Sequence, residues 1–533
     1  MIYQIYPRSF ADANGDGVGD LAGIIRRLDY LAGTLGVDAL WLSPFYPSPM
    51  ADFGYDVSDY TGVDPVFGDL ATFDELVHQA HQRDLKVMID FVPNHTSDRH
   101  AWFQESRSAR SNSKRDWYVW ADPRQDGSLP NNWLSVFGGP AWEWDELTGQ
   151  YYLHSFLKEQ PDLNWRNPDL KAAMLGVLRF WLERGVDGFR IDVAHFIMKD
   201  PELRDNPVKP EATLSIHKPL GEYDSLLHIN DQGHPDVHAV YREIRRLLDS
   251  FSATQPRVSI GEIHIFDWEI WATYYGAQLD ELHMPFNFQL LEVEMAARQV
   301  RKIVDGLEAS LPQGAWPNYV LGNHDESRLA SLVGLGGARL AAMLLLTLRG
   351  TPTLYYGDEI GMTDVDIPVD EQQDPWGIRM PGLGRDKCRT PMQWDSSPNA
   401  GFSPATARKT WLPLAPDCMQ NNVKRQLEQP DSLLNLYRQL LALRKSSPSL
   451  QTGDYLPLDA IPGNCFAYRR RLAGYPAMLV ALNFSLDEIR LNLPDLKAGR
   501  LILSTNMDRS EQINLGELTL RGVEGVLIEL SGE

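Results

Sequence analysis

Cysteine is scarce: three in 533 residues, Cys388, Cys418 and Cys465, far apart and odd in number. That excludes a disulfide framework and a cysteine zinc site, and a reducing compartment, the cytoplasm, is the simplest expectation. Positive charge is also short. With Lys+Arg 50 against Asp+Glu 72 the net charge is −22, which argues against a nucleic-acid partner, because phosphate backbones need a basic face. No apolar run is long enough to span a bilayer: the longest, near Leu340–Leu348, ends at Arg349. No basic stretch followed by an apolar one opens the chain, so neither a signal peptide nor a membrane partner is expected. Met1 runs straight into a strand-like segment, Ile2–Tyr6, an abrupt start that suggests a natural chain beginning a few residues earlier. Internal repeats and low-complexity tracts are missing too.

What is present is hydrophobic content of 43% with aromatics at 10%, enough for a large core and inconsistent with general disorder. The length predicts two or three domains. Eight short apolar segments alternate with helical patterns. They are Ile2–Tyr6, Val37–Leu42, Lys86–Val92, Val186–Asp192, Val258–Glu262, Glu281–Pro285, Tyr319–Gly322 and Thr353–Tyr356. Helical spacing is read over Leu21–Leu35, Phe73–Asp84, Leu170–Glu183, Val237–Ser250, Phe288–Arg298 and Gly337–Leu348. Buried strands with helical crossovers predict a parallel α/β sheet, and eight strands predict a (β/α)8 TIM barrel.

Two departures interrupt the alternation. A block rich in Trp, Tyr, Asp, Asn and Gly separates the third and fourth strands and is too long for a loop. After Ser432–Leu443, a helical stretch, short alternating strands take over, for example Cys465–Arg470 and Gly525–Leu530. The expected organisation is a barrel from residues 1–94 and 168–449, an inserted domain over 95–167, and a C-terminal antiparallel β-sandwich over 450–533.

Functional groups of a parallel barrel gather at the C-terminal ends of its strands. There stand Tyr55-Asp56 after the second strand, Asp90 to His95 after the third, Arg190 and Asp192 on the fourth, Glu262 on the fifth and Asn323-His324-Asp325 on the seventh. Two or three carboxylates with no Ser–His pair suit glycoside hydrolysis. Arg190, two residues before Asp192 and on the same strand face, favours the ionised form a nucleophile needs. Glu262 has no neighbouring cation in sequence and is the candidate for the acid that keeps its proton.

These motifs, in this order, resemble the α-amylase family, glycoside hydrolase family 13, along essentially the whole chain. The resemblance implies a retaining mechanism with Asp192 as nucleophile, Glu262 as acid/base and Asp325 as transition-state stabiliser. It implies that His95, Arg190 and His324 hold the first sugar and that Tyr55 stacks on its ring. Gln160-Pro161-Asp162-Leu163-Asn164 and Arg389-Thr390-Pro391-Met392-Gln393-Trp394 are similar to the tags of the α-glucosidase and oligo-1,6-glucosidase subgroup. By the same resemblance Asp56 and Arg389 close the far side of a glucose pocket, giving exo action on small α-glucosides. Phe137 and Phe156 either wall that pocket or pack the inserted domain. Val193, directly after the nucleophile, is the residue this subgroup tends to carry in α-1,6-active members. His264 and Phe266, after the acid/base, depart from the commoner pattern and are candidates for the acceptor side.

Asp12, Asn14, Asp16, Val18 and Asp20 place oxygen donors at the spacing of a calcium loop, with Gly17 at the sixth position. Gly23 stands where an EF-hand needs Glu, so a structural Ca2+ (alternatively Mg2+) is expected instead of a sensor site. No organic cofactor is expected, and the oligomeric expectation is a monomer or weak homo-oligomer. The competing readings are an oligo-1,6-glucosidase proper, a sucrose- or trehalose-directed glucosyltransferase or isomerase, and a non-catalytic binding subunit of the same family.

Overall fold

A computed structural model describes every residue except 211–219, 254, 408, 460, 497 and 532–533. Eight parallel strands form its central sheet: β1 (Ile2–Ile5), β2 (Ala39–Leu42), β3 (Lys86–Phe91), β4 (Gly188–Ile191), β5 (Val258–Gly261), β6 (Phe286–Asn287), β7 (Asn318–Val320) and β8 (Thr351–Tyr355). Their order is β5-β4-β3-β2-β1-β8-β7-β6, so the first and last strands of the chain's series are neighbours and the sheet curls into a TIM barrel. Between β5 and β6 the ladder is replaced by the His283 and Met284 amides, which both donate to the Ser259 carbonyl. These strands carry near-continuous apolar runs because helices cover their outer face. Leu40, Leu42, Val87, Ile89, Phe189 and Ile191 are all buried.

Most expected helices are present. Pro168–Glu183 begins at an Asn167 cap that accepts from the Asp169 and Leu170 amides, with Pro168 at the first turn. Val237–Phe251 follows. Leu329–Thr347 is kinked at Gly334, whose φ of 66° breaks the helical run. This last helix is long and apolar enough to cross a bilayer, but residues Leu340 to Leu346 are buried, and it packs on the helix Leu433–Ser446.

Three local expectations fail. The segment Leu21–Leu35 is two short helical pieces, Leu21–Arg26 and a wide turn over Tyr30–Leu35. The sixth strand is two residues long and lies just beyond the expected Glu281–Pro285. The helix expected at Phe288–Arg298 starts only at Ala297; Phe288 instead packs with Ile260 and Phe286 just past the end of the sixth strand. An apolar run of that length fits a buried turn as well as a helix, and tertiary packing decides.

Between β3 and β4 the chain forms the helix Ala101–Ser108 and a three-stranded antiparallel sheet, Trp120–Ala121, Gln150–Leu153 and Trp142–Asp145. Beyond β8 and the helix Leu433–Ser446, a six-stranded antiparallel sheet and a two-stranded one share an apolar core that includes Leu479, Ile528, Leu491 and Leu520.

Candidate active site

Register brings the polar groups together. Asp90 on β3 is the direct partner of Arg190 on β4, and Ile191 is the partner of Gly261 on β5. The pairing runs one step further: the Asp192 amide donates to the Phe91 carbonyl and the Glu262 amide to the Ile191 carbonyl, both at 2.9 Å. Asp192 and Glu262 therefore leave their strands side by side. Gly261 permits this closeness, since a Cβ there would lie 2.3 Å from Leu282 Cδ1.

Arg190, 2% exposed, ties the cluster. Its Nη1 donates to Asp90 Oδ1 at 2.8 Å and to Asp192 Oδ1 at 2.6 Å, and its Nη2 donates to Glu262 Oε2 at 2.5 Å. Glu262 Oε2 also accepts from the Val193 amide at 2.9 Å, and Oε1 faces His264 Nε2 at 2.9 Å. Val193 adopts φ 36°, in the left-handed region that β-branched residues avoid, and this turn aims its N–H at Glu262.

The electrostatics differ from what the sequence suggests. Burial works to raise the Glu262 carboxyl, but Arg190 and His264 overcome it and hold it well below the usual range. Burial, with Glu262 and Asp90 beside it, pushes Asp192 above the usual range against the pull of Arg190. Glu262 thus does have adjacent cations; they arrive from a neighbouring strand and from two residues ahead in a turn, which sequence adjacency does not reveal. Asp90 is pushed up to about 6 by burial despite Arg190.

Across the cavity stands Asp325. Arg389 Nη2 reaches its Oδ1 at 2.9 Å and Arg385 Nη1 at 3.2 Å, and His324 Nε2 lies 3.2 Å from Oδ2. Burial opposes its charge, and His324, Arg385 and Arg389 overcome it, so the carboxyl sits far below the usual range. His324 is itself pushed down to about 3 by burial, hence neutral near pH 7, which leaves the two guanidiniums as the charges that count. Tyr55 stacks on His324, centroids 5.3 Å apart and planes 4° apart, and their Oη and Nε2 meet at 2.6 Å. His95, pushed down to about 4 by burial, has Nε2 3.2 Å from the Tyr55 carbonyl and receives a hydrogen bond from Gln160.

Most of these groups open on one cavity of about 200 Å³, while Asp90, Arg190 and Gln160 stand behind its wall. Asp192, Glu262, Asp325, Tyr55, His95, His324, Val193, Phe137 and Phe156 line it, as do His264 and Phe266. The two phenylalanines also pack: Phe137 lies on Trp376 at 4.9 Å and Phe156 on Phe196 at 5.3 Å. Asp56 does not line the cavity. Its carboxylate is turned inward, accepting from Ser48 Oγ and the Ala51 and Asp52 amides at 2.8–2.9 Å. Nor does Arg389, which spends its Nε on the His324 carbonyl and supports Asp325 from behind. The charged pair that does line the cavity is Asp52 and Arg385, joined at 2.6 Å, with Asp374 locking the same guanidinium at 2.7 Å. Each lies four residues before its expected counterpart, in a turn whose Met50 and Phe53 have positive φ, and in the loop after β8. The clue in the sequence is the first arginine of Arg385-Asp386-Lys387-Cys388-Arg389.

The Asp12–Asp20 loop lies apart from this cavity. Asp12 accepts from the Gly15 and Gly17 amides at 2.6 and 2.9 Å and from Ser403 Oγ; Asp20 accepts from the Ala13 and Asn14 amides and caps the helix Leu21–Arg26. Among the described residues no group of three or more His, Cys, Asp or Glu side chains is gathered to hold a metal. The donor set itself, hard oxygens with one backbone carbonyl, is that of Ca2+.

Carboxylates of unlike environment at the mouth of a parallel barrel define a glycosidase-type site, and comparison with known proteins agrees. The family model for the α-amylase catalytic domain matches residues 4–453. The chain belongs to the α-amylase family, glycoside hydrolase family 13, and is a glycoside hydrolase. A probable α-glucosidase of Rhizobium meliloti (strain 1021) is 47% identical over 465 residues, 85% of this chain and 83% of that protein. An oligo-1,6-glucosidase of Parageobacillus thermoglucosidasius is 38% identical over 98% of this chain and 96% of its own. The crystal structure of an α-glucosyl transfer enzyme, XgtA, matches with TM-score 0.93 at 44% identity, covering 100% of this chain and 98% of that one.

Proposed function

We propose that the protein is a retaining, exo-acting α-glucosidase that releases glucose from the non-reducing ends of short α-glucosides. The observation that carries this reading is the single guanidinium of Arg190 bridging Asp192 and Glu262. Two carboxylates sharing one guanidinium are held near each other, which favours the close spacing of a retaining pair (about 5 Å) over the wider one of an inverting pair. Asp192, reacting as the carboxylate paired with Arg190, attacks the anomeric carbon and forms a β-glucosyl ester. Glu262 donates a proton to the leaving oxygen and then takes one from the incoming acceptor. Asp325, kept ionised by Arg385 and Arg389, stabilises the developing positive charge of the ring. The Asp52–Arg385 pair closes the cavity beyond one sugar and offers charge-assisted hydrogen bonds to its distal hydroxyls.

Water is the default acceptor. Transfer to another hydroxyl is the second reading, supported by the likeness to the α-glucosyl transfer enzyme and, at TM-score 0.89 and 33% identity, to a trehalulose synthase. Val193 favours α-1,6 linkages among the substrates. The deciding experiment is product analysis on maltose, isomaltose, sucrose, trehalose and soluble starch, with the anomer followed by NMR. Glucose released first as the α-anomer is expected; internal cleavage of starch would refute exo action. Asp192→Asn is expected to lower kcat/KM by roughly 10⁴-fold or more, and near-wild-type turnover would remove Asp192 from its role.

We further propose that the Asp12–Asp20 loop takes a structural Ca2+ through Asp12, Asn14, Asp16, the Val18 carbonyl and Asp20. Excess Ca2+ over chelator is expected to raise the melting temperature with no change in kcat; an unmoved melting temperature counts against the site.

A further inference from the structure

His264 is not needed to form the cluster around Arg190, yet it is built into it. Glu262 Oε2 already accepts two N–H groups, from the permanent cation Arg190 at 2.5 Å and from the Val193 backbone at 2.9 Å. Neither N–H can leave, so Oε2 has no place for a transferable proton. Such a proton must sit on Oε1, and there the partner is His264 Nε2 at 2.9 Å. One contact of that length holds one hydrogen, either on Nε2 or on Oε1. The imidazole is held for this contact by stacking on Phe288, centroids 4.6 Å apart and planes 7° apart. Its side chain is 39% exposed on the cavity wall, so it exchanges protons with solvent.

We propose that His264 is a positioning residue that stores the proton Glu262 delivers, so that the acid/base of this enzyme is the Glu262–His264 pair; this rests on the assignment of Glu262 as acid/base. In the resting pair Nε2 carries the proton and Oε1 is a carboxylate oxygen. When a glycosidic oxygen arrives, the proton moves to Oε1 and on to that oxygen as the C1–O bond breaks and Asp192 bonds to C1. His264 is left neutral. In the second half the acceptor's proton passes to Oε1 and back to Nε2 while its oxygen bonds to C1 and Asp192 departs. Protons and bonds balance over the cycle.

The surroundings support a charged imidazole. Glu262 faces it from the end of β5, while Glu292, after β6, and Glu326, after β7, add negative charge. His195, after β4, has its ring 5.9 Å away and is kept neutral, pushed down to about 3 by burial. Asp325 and Arg190 act on Glu262, the first raising and the second lowering its pKa. Burial works to lower the His264 pKa, and Glu262 with the other two carboxylates overcomes it, so the ring titrates above its ordinary value.

The test is the pH profile of kcat/KM for wild type and His264→Gln, measured on the best disaccharide substrate and on 4-nitrophenyl α-glucoside. Gln can keep the hydrogen bond to Oε1 but cannot store a proton. Without storage, Glu262 is loaded only at lower pH, so the alkaline limb for the disaccharide is expected to move down by about one unit, a tenfold loss on that side. The aryl substrate, whose leaving group needs little protonation, is expected to lose less than about threefold. An unmoved limb, or equal losses on both substrates, overturns the proposal. In wild type, 15N spectra are expected to show His264 as imidazolium at pH 7; a neutral ring there overturns it irrespective of how the variant folds. Glu262→Gln separates the two readings. If it keeps disaccharide turnover, the acid/base assignment fails; if it loses that turnover while His264→Gln keeps the wild-type profile, only the storage role fails.

Discussion

Two arginines in this molecule hold carboxylates at nearly equal distances. Arg190 reaches Asp90, Asp192 and Glu262 at 2.5–2.8 Å, and Arg521, near the C-terminus, reaches Asp508 and Glu524 at 2.5–2.7 Å. Distance alone would rank them together. Exposure separates them: the Arg190 side chain is 2% exposed and the Arg521 side chain 41%. Solvent screens Arg521 and its exposed partner Asp508, and side-chain entropy offsets most of that attraction, while buried Glu524 has Arg509 as a second cation. In the barrel mouth three buried carboxylates share one buried cation, so removing that cation leaves buried charges uncompensated. The same chemistry is decoration in one place and mechanism in the other.

That contrast can be broken experimentally. The largest effect is expected for Arg190→Ala, with kcat/KM down by roughly 10³-fold or more and stability down by about 3–5 kcal/mol in denaturant titration. Loss of activity with unchanged stability would mean that the three carboxylates take up protons instead of suffering the charge. Next is Arg385→Ala, which leaves Asp52 and Asp374 without their shared partner. About 2–4 kcal/mol of transition-state binding should go, read as a rise in KM with a smaller fall in kcat. A drop in kcat alone would place Arg385 behind Asp325 and not on the sugar. Asp56→Ala sharpens the comparison from within the site: it should cost about 1–3 kcal/mol of stability, because the 48–52 turn loses its acceptor, with only a modest change in KM. The smallest effect is expected for Arg521→Ala, below about 1 kcal/mol and shrinking with salt. Glu524 keeps Arg509 at 2.9 Å and the residue-521 amide at 2.8 Å.

The sequence exposed what periodicity and strand ends encode. Asp192, Glu262 and Asp325 stand at the ends of apolar runs, and a parallel barrel has only one face where such ends can meet. The same logic located β1 to β5, β7 and β8. It failed where no period exists. Phe288, Leu290 and Leu291 form an apolar run, but tertiary packing draws them into the core and not into a helix. Asp52 and Arg385 lie in loops whose path depends on positive-φ turns and on Asp374 gripping the guanidinium. Nothing local distinguishes Asp52 from Asp56 four residues on, and their fates are opposite. The charge state of Glu262 was equally hidden, since Arg190 reaches it only through strand register.

The turn at Val193 separates two tasks that share one residue. Its left-handed backbone costs on the order of 1–3 kcal/mol through the clash of Cβ with the main chain, a cost of the same kind for alanine and threonine that only glycine escapes. What steadies Glu262 is the amide; the residue also lines the cavity. Exchanging Val193 for threonine or alanine therefore alters the cavity wall without withdrawing the N–H from the acid. The site is modular at this position: the shape of the cavity wall can drift by ordinary point mutation while the hydrogen bond to Glu262 beside it stays in place.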